Sequence, residues 1–263
     1  MTEPLRVLSL GAGVQSSTVL LLSCVGELPK LDAAIFADTQ WEPAAVYRHL
    51  DWLEAEAARH GIPVYRVTAG NLREQALSER RYPGGTTATA LPLFTQTQGK
   101  VGMLPRQCTR NFKVRPIRKK LRELSGGSPV EQWIGISRDE ASRMRDSDVQ
   151  WVTHRYPLVF DRPMRRADCL IWLKRAGYPE PPKSACVACP MHDNAGWRRI
   201  KQDEKAWADA CDFDSKIRER HGAKGALFVH RTGQPLIDVD LSTPEERGQL
   251  TLWAMECEGH CGV

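Results

Sequence analysis

No stretch of this sequence is long and apolar enough to span a bilayer; the longest apolar run, Thr18 to Cys24, falls well short. The amino terminus, Met1 to Arg6, lacks the basic start, apolar middle and small-residue exit of a signal peptide. The chain therefore reads as cytoplasmic, with no membrane partner. It has no internal repeat and no low-complexity tract, so its organisation has to come from hydrophobic periodicity and turn signals. Neither sign of charge is in large excess: 37 Lys and Arg against 32 Asp and Glu leave +5, which suits an anionic ligand and is too mild to establish nucleic-acid binding. Complete phosphate-loop signatures are missing too. No Gly-Lys-Ser/Thr follows the first glycine turn, as Walker A requires, and the three spaced glycines of the dinucleotide fingerprint are incomplete.

What is present is the profile of a globular chain: 263 residues, 41% hydrophobic and 26% charged. Leu5 to Leu10 is a short apolar run ending in Gly11-Ala12-Gly13, and Ser16-Ser17-Thr18 opens a second apolar stretch, a strand, glycine turn and helix in series. Ala33 to Ala37 predicts a strand ending at Asp38-Thr39. After Pro43, Val46, Leu50 and Leu53 recur at helical spacing toward Gly61, and Pro63 to Val67 predicts the next strand. This β-α-β-α-β alternation predicts an α/β, Rossmann-like parallel sheet with helices on both faces and ligands at the carboxyl ends of its strands. Arg80 to Gln107 reads as one long irregular loop, a lid or substrate loop. A basic helix is expected after Asn111, a strand at Val130 to Ile136 and a helix around Ala167 to Ala176. Past Pro179-Glu180-Pro181-Pro182 the chain becomes cysteine-bearing and then helical to about Arg220. Ala226 to Asp240 reads as a hairpin around Thr232-Gly233. The expected division is a nucleotide-binding domain over 1–178 and a cysteine-bearing, α-rich region over 179–263 packed on it.

A glycine turn feeding a helix presents backbone N–H groups at the positive end of the helix dipole, so Gly11, Gly13, Ser16 and Ser17 can cradle phosphate oxygens; an ordinary strand-to-helix turn is the alternative. Asp38-Thr39, on the same sheet edge, reads either as a helix cap or as a group orienting magnesium or a ribose hydroxyl. Between Arg106 and Arg122 lie eight basic residues and no acid: Arg106, Arg110, Lys113, Arg115, Arg118, Lys119, Lys120 and Arg122. Some belong to a solvated helical face, and the others are available to phosphates. Arg138, Arg143 and Arg145 follow another strand end and either enter the same pocket or stitch a helix start.

Eight cysteines in a cytoplasmic chain point to metal ligation, redox chemistry or packing. Cys186-Val187-Ala188-Cys189-Pro190 can grip one metal or cluster, with Cys108, Cys257 and Cys261 as candidate further ligands. Cys24 and Cys169 sit in apolar helical runs and read as core, and Cys211 fits either role. Thiolate ligands suit zinc or an iron-sulfur cluster, a disulfide-exchange motif is the rival reading, and no metal at all stays open.

These segments, in this order, resemble the phosphoadenosine-phosphosulfate reductase-like branch of the PP-loop, or N-type ATP pyrophosphatase, superfamily. The likeness runs through Ser9-Leu10-Gly11-Ala12-Gly13-Val14-Gln15-Ser16-Ser17, Asp38-Thr39-Gln40-Trp41-Glu42-Pro43, Cys108-Thr109-Arg110-Asn111-Phe112-Lys113-Val114-Arg115-Pro116, Gly135-Ile136-Ser137-Arg138-Asp139-Glu140, Pro157-Leu158 and Cys186 to Cys189. The resemblance implies an adenine nucleotide with its phosphates on Gly11 to Ser17, Gln15 included, and its adenosine near Asp38 and Thr39. It implies ATP with Mg2+ cleaved at the α-phosphate to AMP and pyrophosphate, with Ser16, Lys113, Arg115 and Arg138 at the chemistry. A [4Fe-4S] cluster or Zn2+ on Cys108, Cys186, Cys189, Cys257 and Cys261 is the further implied cofactor. The family also implies a sulfonucleotide reductase as the rival activity, and relatives in mobile elements and CRISPR neighbourhoods extend the expectation to an RNA, DNA or ribonucleoprotein partner. A non-catalytic, metal-stabilised nucleic-acid-binding protein is the third reading. The chain departs from the pattern at Gln15, where the family has Asp, and at Gln107-Cys108, where cluster-bearing reductases have adjacent cysteines. The tail, Glu256-Cys257-Glu258-Gly259-His260-Cys261, keeps the reductase motif only in altered form.

Overall fold

The structure, a computed structural model, describes residues 3–78, 89–97, 99–218, 225–243 and 246. In chain order its elements are β1 (Leu5–Leu10), α1 (Val14–Cys24), β2 (Ala33–Asp38), α2 (Ala44–Arg59), β3 (Val64–Thr68), α3 (Leu72–Leu77), β4 (Phe94–Thr97), β5 (Lys100–Met103) and a π-helical turn (Thr109–Val114) running into α4 (Arg115–Ser125). Then come β6 (Val130–Ile134), a 3-10 turn (Arg138–Arg143), β7 (Val152–Arg155), α5 (Pro157–Phe160), α6 (Arg166–Arg175), α7 (Asn194–Lys201), α8 (Glu204–Arg218), β8 (Ala226–Phe228) and a 3-10 turn (Leu236–Asp238).

The expected α/β fold is present. A five-stranded sheet runs in the order β3-β2-β1-β6-β7, with each neighbouring pair parallel. Side chains alternate across it. Leu8, Leu10, Ala34, Phe36 and Trp133 pack on one face with residues of α1, α2, α5 and α6; Val7, Ala33, Ile35, Ala37 and Val130 pack on the other with Ile117 and Leu121 of α4. Helix α1 is apolar on nearly every side because it lies inside: Leu20, Leu21 and Leu22 are all fully buried, each contributing roughly 1.5–3 kcal/mol of transfer free energy. Chain direction across the sheet reverses between β1 and β6, which opens a crevice at their carboxyl ends.

A second core gathers Trp197, Phe213, Leu227 and Leu236 with Leu93, Trp41, Phe112 and the Cys186–Ala188 segment, drawing on chain from both sides of residue 178. It stands at the carboxyl edge of the large sheet, because Trp41 follows β2 and Phe112 precedes α4.

Two expectations need correction. Part of the stretch read as one long loop, Arg80 to Gln107, is a β-hairpin: β4 pairs antiparallel with β5 on one side and β8 on the other. Residues 80–88 and 98 of that stretch, where a lid was expected, lie outside the described residues. The strands escaped notice because β5 is exposed throughout and β4 is at best half-buried, so no apolar alternation marks them. Ala226 to Asp240 does not form its own hairpin. Asp214, buried in α8, accepts hydrogen bonds from the amides of Val229 (3.0 Å) and Leu236 (3.0 Å), which removes those donors from any local ladder. Among the described residues, no helix is long and apolar enough to cross a membrane.

Candidate nucleotide site at the carboxyl edge of the sheet

Among the described residues, both non-glycine residues with left-handed backbone sit at strand ends on this edge, Ala12 (φ 53°) after β1 and Gln40 (φ 56°) after β2. Such conformations cost on the order of 1 kcal/mol and cluster where a loop is shaped for function. In the Gly11-Ala12-Gly13 turn the left-handed position thus falls on Ala12. A Cβ at Gly11 would meet the Ser16 hydroxyl and one at Gly13 would meet Ser184, each at an ordinary contact distance of 3.6 Å.

The Ser16 hydroxyl staples the loop, accepting from the Gly11 amide (3.1 Å) and donating to the Gly13 carbonyl (3.3 Å). Ser17 is fully buried and its hydroxyl pairs with His49 Nε2 of α2 at 3.0 Å. Burial lowers the His49 pKa to about 4, so the imidazole is neutral near pH 7. Gln15 reaches across to the turn after β6, donating to Glu140 (3.0 Å) and to Ser137 (3.3 Å). The Ser17 and Gln15 side chains are therefore engaged within the protein, and the Ser17 amide donates to the Gly13 carbonyl at 2.9 Å. No side chain caps the start of α1, so its first amides are left without a side-chain acceptor.

Asp38 closes its own turn, one carboxylate oxygen accepting from the Gln40 amide (2.7 Å) and the Tyr47 hydroxyl (2.8 Å). Burial, reinforced by that carboxylate, pushes the Tyr47 phenol well above its ordinary range. Thr39 is buried and its hydroxyl lies 3.3 Å from the Cys186 thiol.

A cleft of about 640 Å3 opens in the β1–β6 crevice on the α4 face of the sheet. Ser9, Leu10 and Gly11 of β1 and its loop form one wall, Gln132 and Ile134 of β6 another, and Arg110, Lys113, Arg115, Arg118 and Arg143 supply the charge. Gln132 donates to the Ser9 hydroxyl at 2.6 Å, fixing the floor. Asp148 is the acidic residue lining it, and it is ion-paired with Arg118. The cleft thus brings together Gly11, Lys113 and Arg115 from the sequence-derived set. Gly13, Gln15, Ser16, Ser17, Asp38 and Thr39 lie behind or beside its walls. Arg138 is exposed on the 3-10 turn, away from the lining, and its side chain has no hydrogen-bond partner among the described residues.

Lys113, on the π-helical turn, is the pivot. Its ammonium lies 3.4 Å from Glu42, whose side chain is only 1% exposed. Burial alone would lower the Lys113 pKa, but Glu42 and the nearby thiols outweigh it and hold the ammonium above its ordinary range. Glu42 Oε1 also accepts from the Cys186 thiol at 3.6 Å, while Glu42 Oε2 is buried with no partner among the described residues. The sequence pointed to Lys113 through the basic run; neither Glu42 nor His49 stood out, although His49 falls on the Val46-Leu50-Leu53 stripe of α2, where a polar residue is a signal.

The Cys186–Cys189 turn packs over both loops, with the Val187 amide donating to the Trp41 carbonyl at 2.9 Å. Burial raises the pKa of both Cys186 and Cys189. Cys24 and Cys169 are pushed up to about 11, chiefly by burial, as inert packing thiols should be. Among the described residues, no three His, Cys, Asp or Glu side chains converge to hold a metal ion. Cys108 and Cys189 border the second core, and Cys257 and Cys261 lie outside the described residues.

No family model matches the chain. No curated protein matches it by sequence. Among solved structures it is similar to the crystal structure of phosphoadenylyl-sulfate (PAPS) reductase from Candida auris in a phosphate complex, at 14% identity over 68% of this chain and 76% of that one, with a TM-score of 0.41.

Proposed function

We propose that this chain is an enzyme that binds ATP in the β1–β6 cleft and cleaves it between the α- and β-phosphates, releasing pyrophosphate and leaving AMP, free or on an acceptor. The observation that carries the reading is the cleft: it lies where open α/β sheets bind ligands, is sized for a nucleotide, and sets Lys113, Arg110, Arg115 and Arg143 against a lone, already paired carboxylate. The adenine and the bond cleaved come from the sequence resemblance.

In this mechanism an oxygen nucleophile, from water or an acceptor such as a nucleic-acid base, attacks the α-phosphorus, and the α–β bridging oxygen leaves with pyrophosphate. Negative charge builds on the leaving group, so fixed cations aimed at it lower the barrier. Lys113 and Arg115 line the cleft and are available for this, while the Ser16 hydroxyl staples the loop that contributes Gly11 to the cleft wall. Magnesium, when it accompanies the polyphosphate, supplies further charge neutralisation. The described lining does not fit a protein-held ion, since Asp148 is committed to Arg118, and the described cysteines do not by themselves fit a cluster or zinc.

The test is anaerobic incubation with α-labelled ATP and magnesium, separating AMP from ADP, with Arg115→Ala and Ser16→Ala alongside. AMP formed by the parent and reduced at least tenfold in both variants is the expected result. No AMP, with a sulfated adenine nucleotide consumed as thiols oxidise, would move the assignment to a reductase. Salt-sensitive RNA or DNA binding without turnover would move it to a binding protein.

A further inference from the structure

Lys113 is the one cleft cation whose geometry is dictated from behind. Arg115 has no side-chain partner among the described residues, and Arg118 and Arg143 pair with the partly exposed acids Asp148 and Glu140. Lys113 instead meets a carboxylate that is almost wholly enclosed. Four flexible bonds separate its ammonium from the backbone, and without an anchor it would sample many rotamers in a half-open cleft. Glu42 also has little freedom: it lies between the end of β2 and the cysteine turn, one oxygen shared by the ammonium and the Cys186 thiol, the other enclosed without a donor among the described residues. A buried carboxylate so poorly served by hydrogen bonds is costly unless an opposite charge stays beside it. That cost keeps the ammonium at the cleft wall.

We infer that Glu42 is a positioning residue for the cleft: its carboxylate holds the Lys113 ammonium where a ligand's phosphate will meet it, and Glu42 affects recognition only through Lys113. This rests on the reading that the cleft takes a nucleotide's phosphates. It assigns Glu42 no contact with the nucleotide and no proton transfer. The energetic content is preorganisation, because immobilising one long side chain in advance spares the ligand that entropy.

The test is a double-mutant cycle read as ATP affinity without turnover, in the full chain with metal chelated. Glu42→Gln is expected to weaken ATP binding about tenfold, as is Lys113→Met, and Glu42→Gln added to Lys113→Met is expected to change nothing further. An equal loss in both backgrounds would mean a structural role and overturn the inference, as would unchanged or tighter binding by Glu42→Gln alone. Should Glu42→Gln fold poorly, Glu42→Asp replaces it; a charge kept but withdrawn by one methylene is expected to give a smaller loss that again vanishes with Lys113→Met. A ligand-free readout separates this inference from the nucleotide reading: acylation of individual lysines, followed by mass spectrometry with exposed Lys119 as the internal reference. Lys113 is expected to react at least threefold faster in Glu42→Gln than in the parent. If the parent binds no ATP, the nucleotide reading fails while the labelling still decides the tether; equal labelling, with ATP bound, sinks the tether alone.

Discussion

His49 ties α2 to the first turn of α1 through the buried Ser17 hydroxyl, and its stacking on Trp52, with ring centroids 5.7 Å apart, completes its enclosure. Its pKa of about 4 makes this contact pH-dependent. The unfolded chain takes up a proton near the ordinary histidine value of about 6.5, and the folded chain does so only near 4. Stability from this site is therefore full above about pH 6.5 and declines as pH falls toward 4, by on the order of 3 kcal/mol in total. Urea titrations at pH 7 and pH 4.5 should show that loss in the parent and a clearly smaller one in His49→Gln; parallel slopes would show that other groups dominate. Gly135 carries a second residue-scale constraint. A Cβ there would lie 2.7 Å from the Ser16 amide nitrogen and 2.8 Å from its Cα. Both are backbone atoms and cannot swing aside, so Gly135→Ala is expected to cost about 2 kcal/mol and to displace the glycine loop, seen together as a lower melting temperature and weaker ATP binding. The sequence offered Gly135 only as a letter in a motif, because the approach that forbids a side chain there is made by residues more than a hundred positions earlier.

At the scale of elements, the start of α1 and the turn Arg138–Arg143 are coupled by the bond from Gln15 to Glu140, which is itself paired with Arg143 at the cleft. A carboxylate at position 15 would face Glu140 across this contact. Gln15→Asp is accordingly expected to lower stability by roughly 1 kcal/mol, a modest repulsion because Glu140 is partly exposed. Adding Glu140→Gln should restore the melting temperature; a single variant as stable as the parent would show that the two side chains separate freely. Elements were legible where burial imposed a period. β1, β2 and β3 announced themselves as short apolar runs, and α2 as a stripe, because each packs against a core. β4 and β5 pair largely through backbone, β4 lying against β8 with Gly225 held at φ 99° so close to Gln96 that a Cβ would meet its carbonyl oxygen at 2.3 Å. Nothing in the side-chain pattern reports such a ladder, so the region read as a loop.

For the whole molecule, the small net charge of +5 conceals an uneven distribution. The basic run from Arg106 to Arg122 was plain in the sequence, but its members separate by destination only in three dimensions. Lys120 lies 4.4 Å over the Tyr65 ring and pairs with Glu123, while Arg122 lies 4.5 Å over Trp151, both away from the cleft lining. Arg110, Lys113, Arg115 and Arg118 line the cleft, joined by Arg143 from across the sheet. Helical spacing around α4, set by Ile117 and Leu121 facing the sheet, decides which cation goes where. If that sorting governs binding, the cleft acts as a local anion trap and not as one part of a uniformly basic surface. At about 0.1 M salt, charges more than about 10 Å apart are largely screened, so distant lysines contribute little and the lining dominates. Arg115→Ala should then weaken ATP binding severalfold while Arg122→Ala leaves it within twofold. Raising salt from roughly 50 to 500 mM should weaken ATP about tenfold and adenosine hardly at all, since only the phosphates engage the cations. Isothermal titration of both ligands against both variants at the two salt concentrations checks each part. Equal losses for Arg115→Ala and Arg122→Ala would mean that net charge alone attracts the nucleotide, and an adenosine affinity as salt-sensitive as that of ATP would place the phosphates outside the cleft.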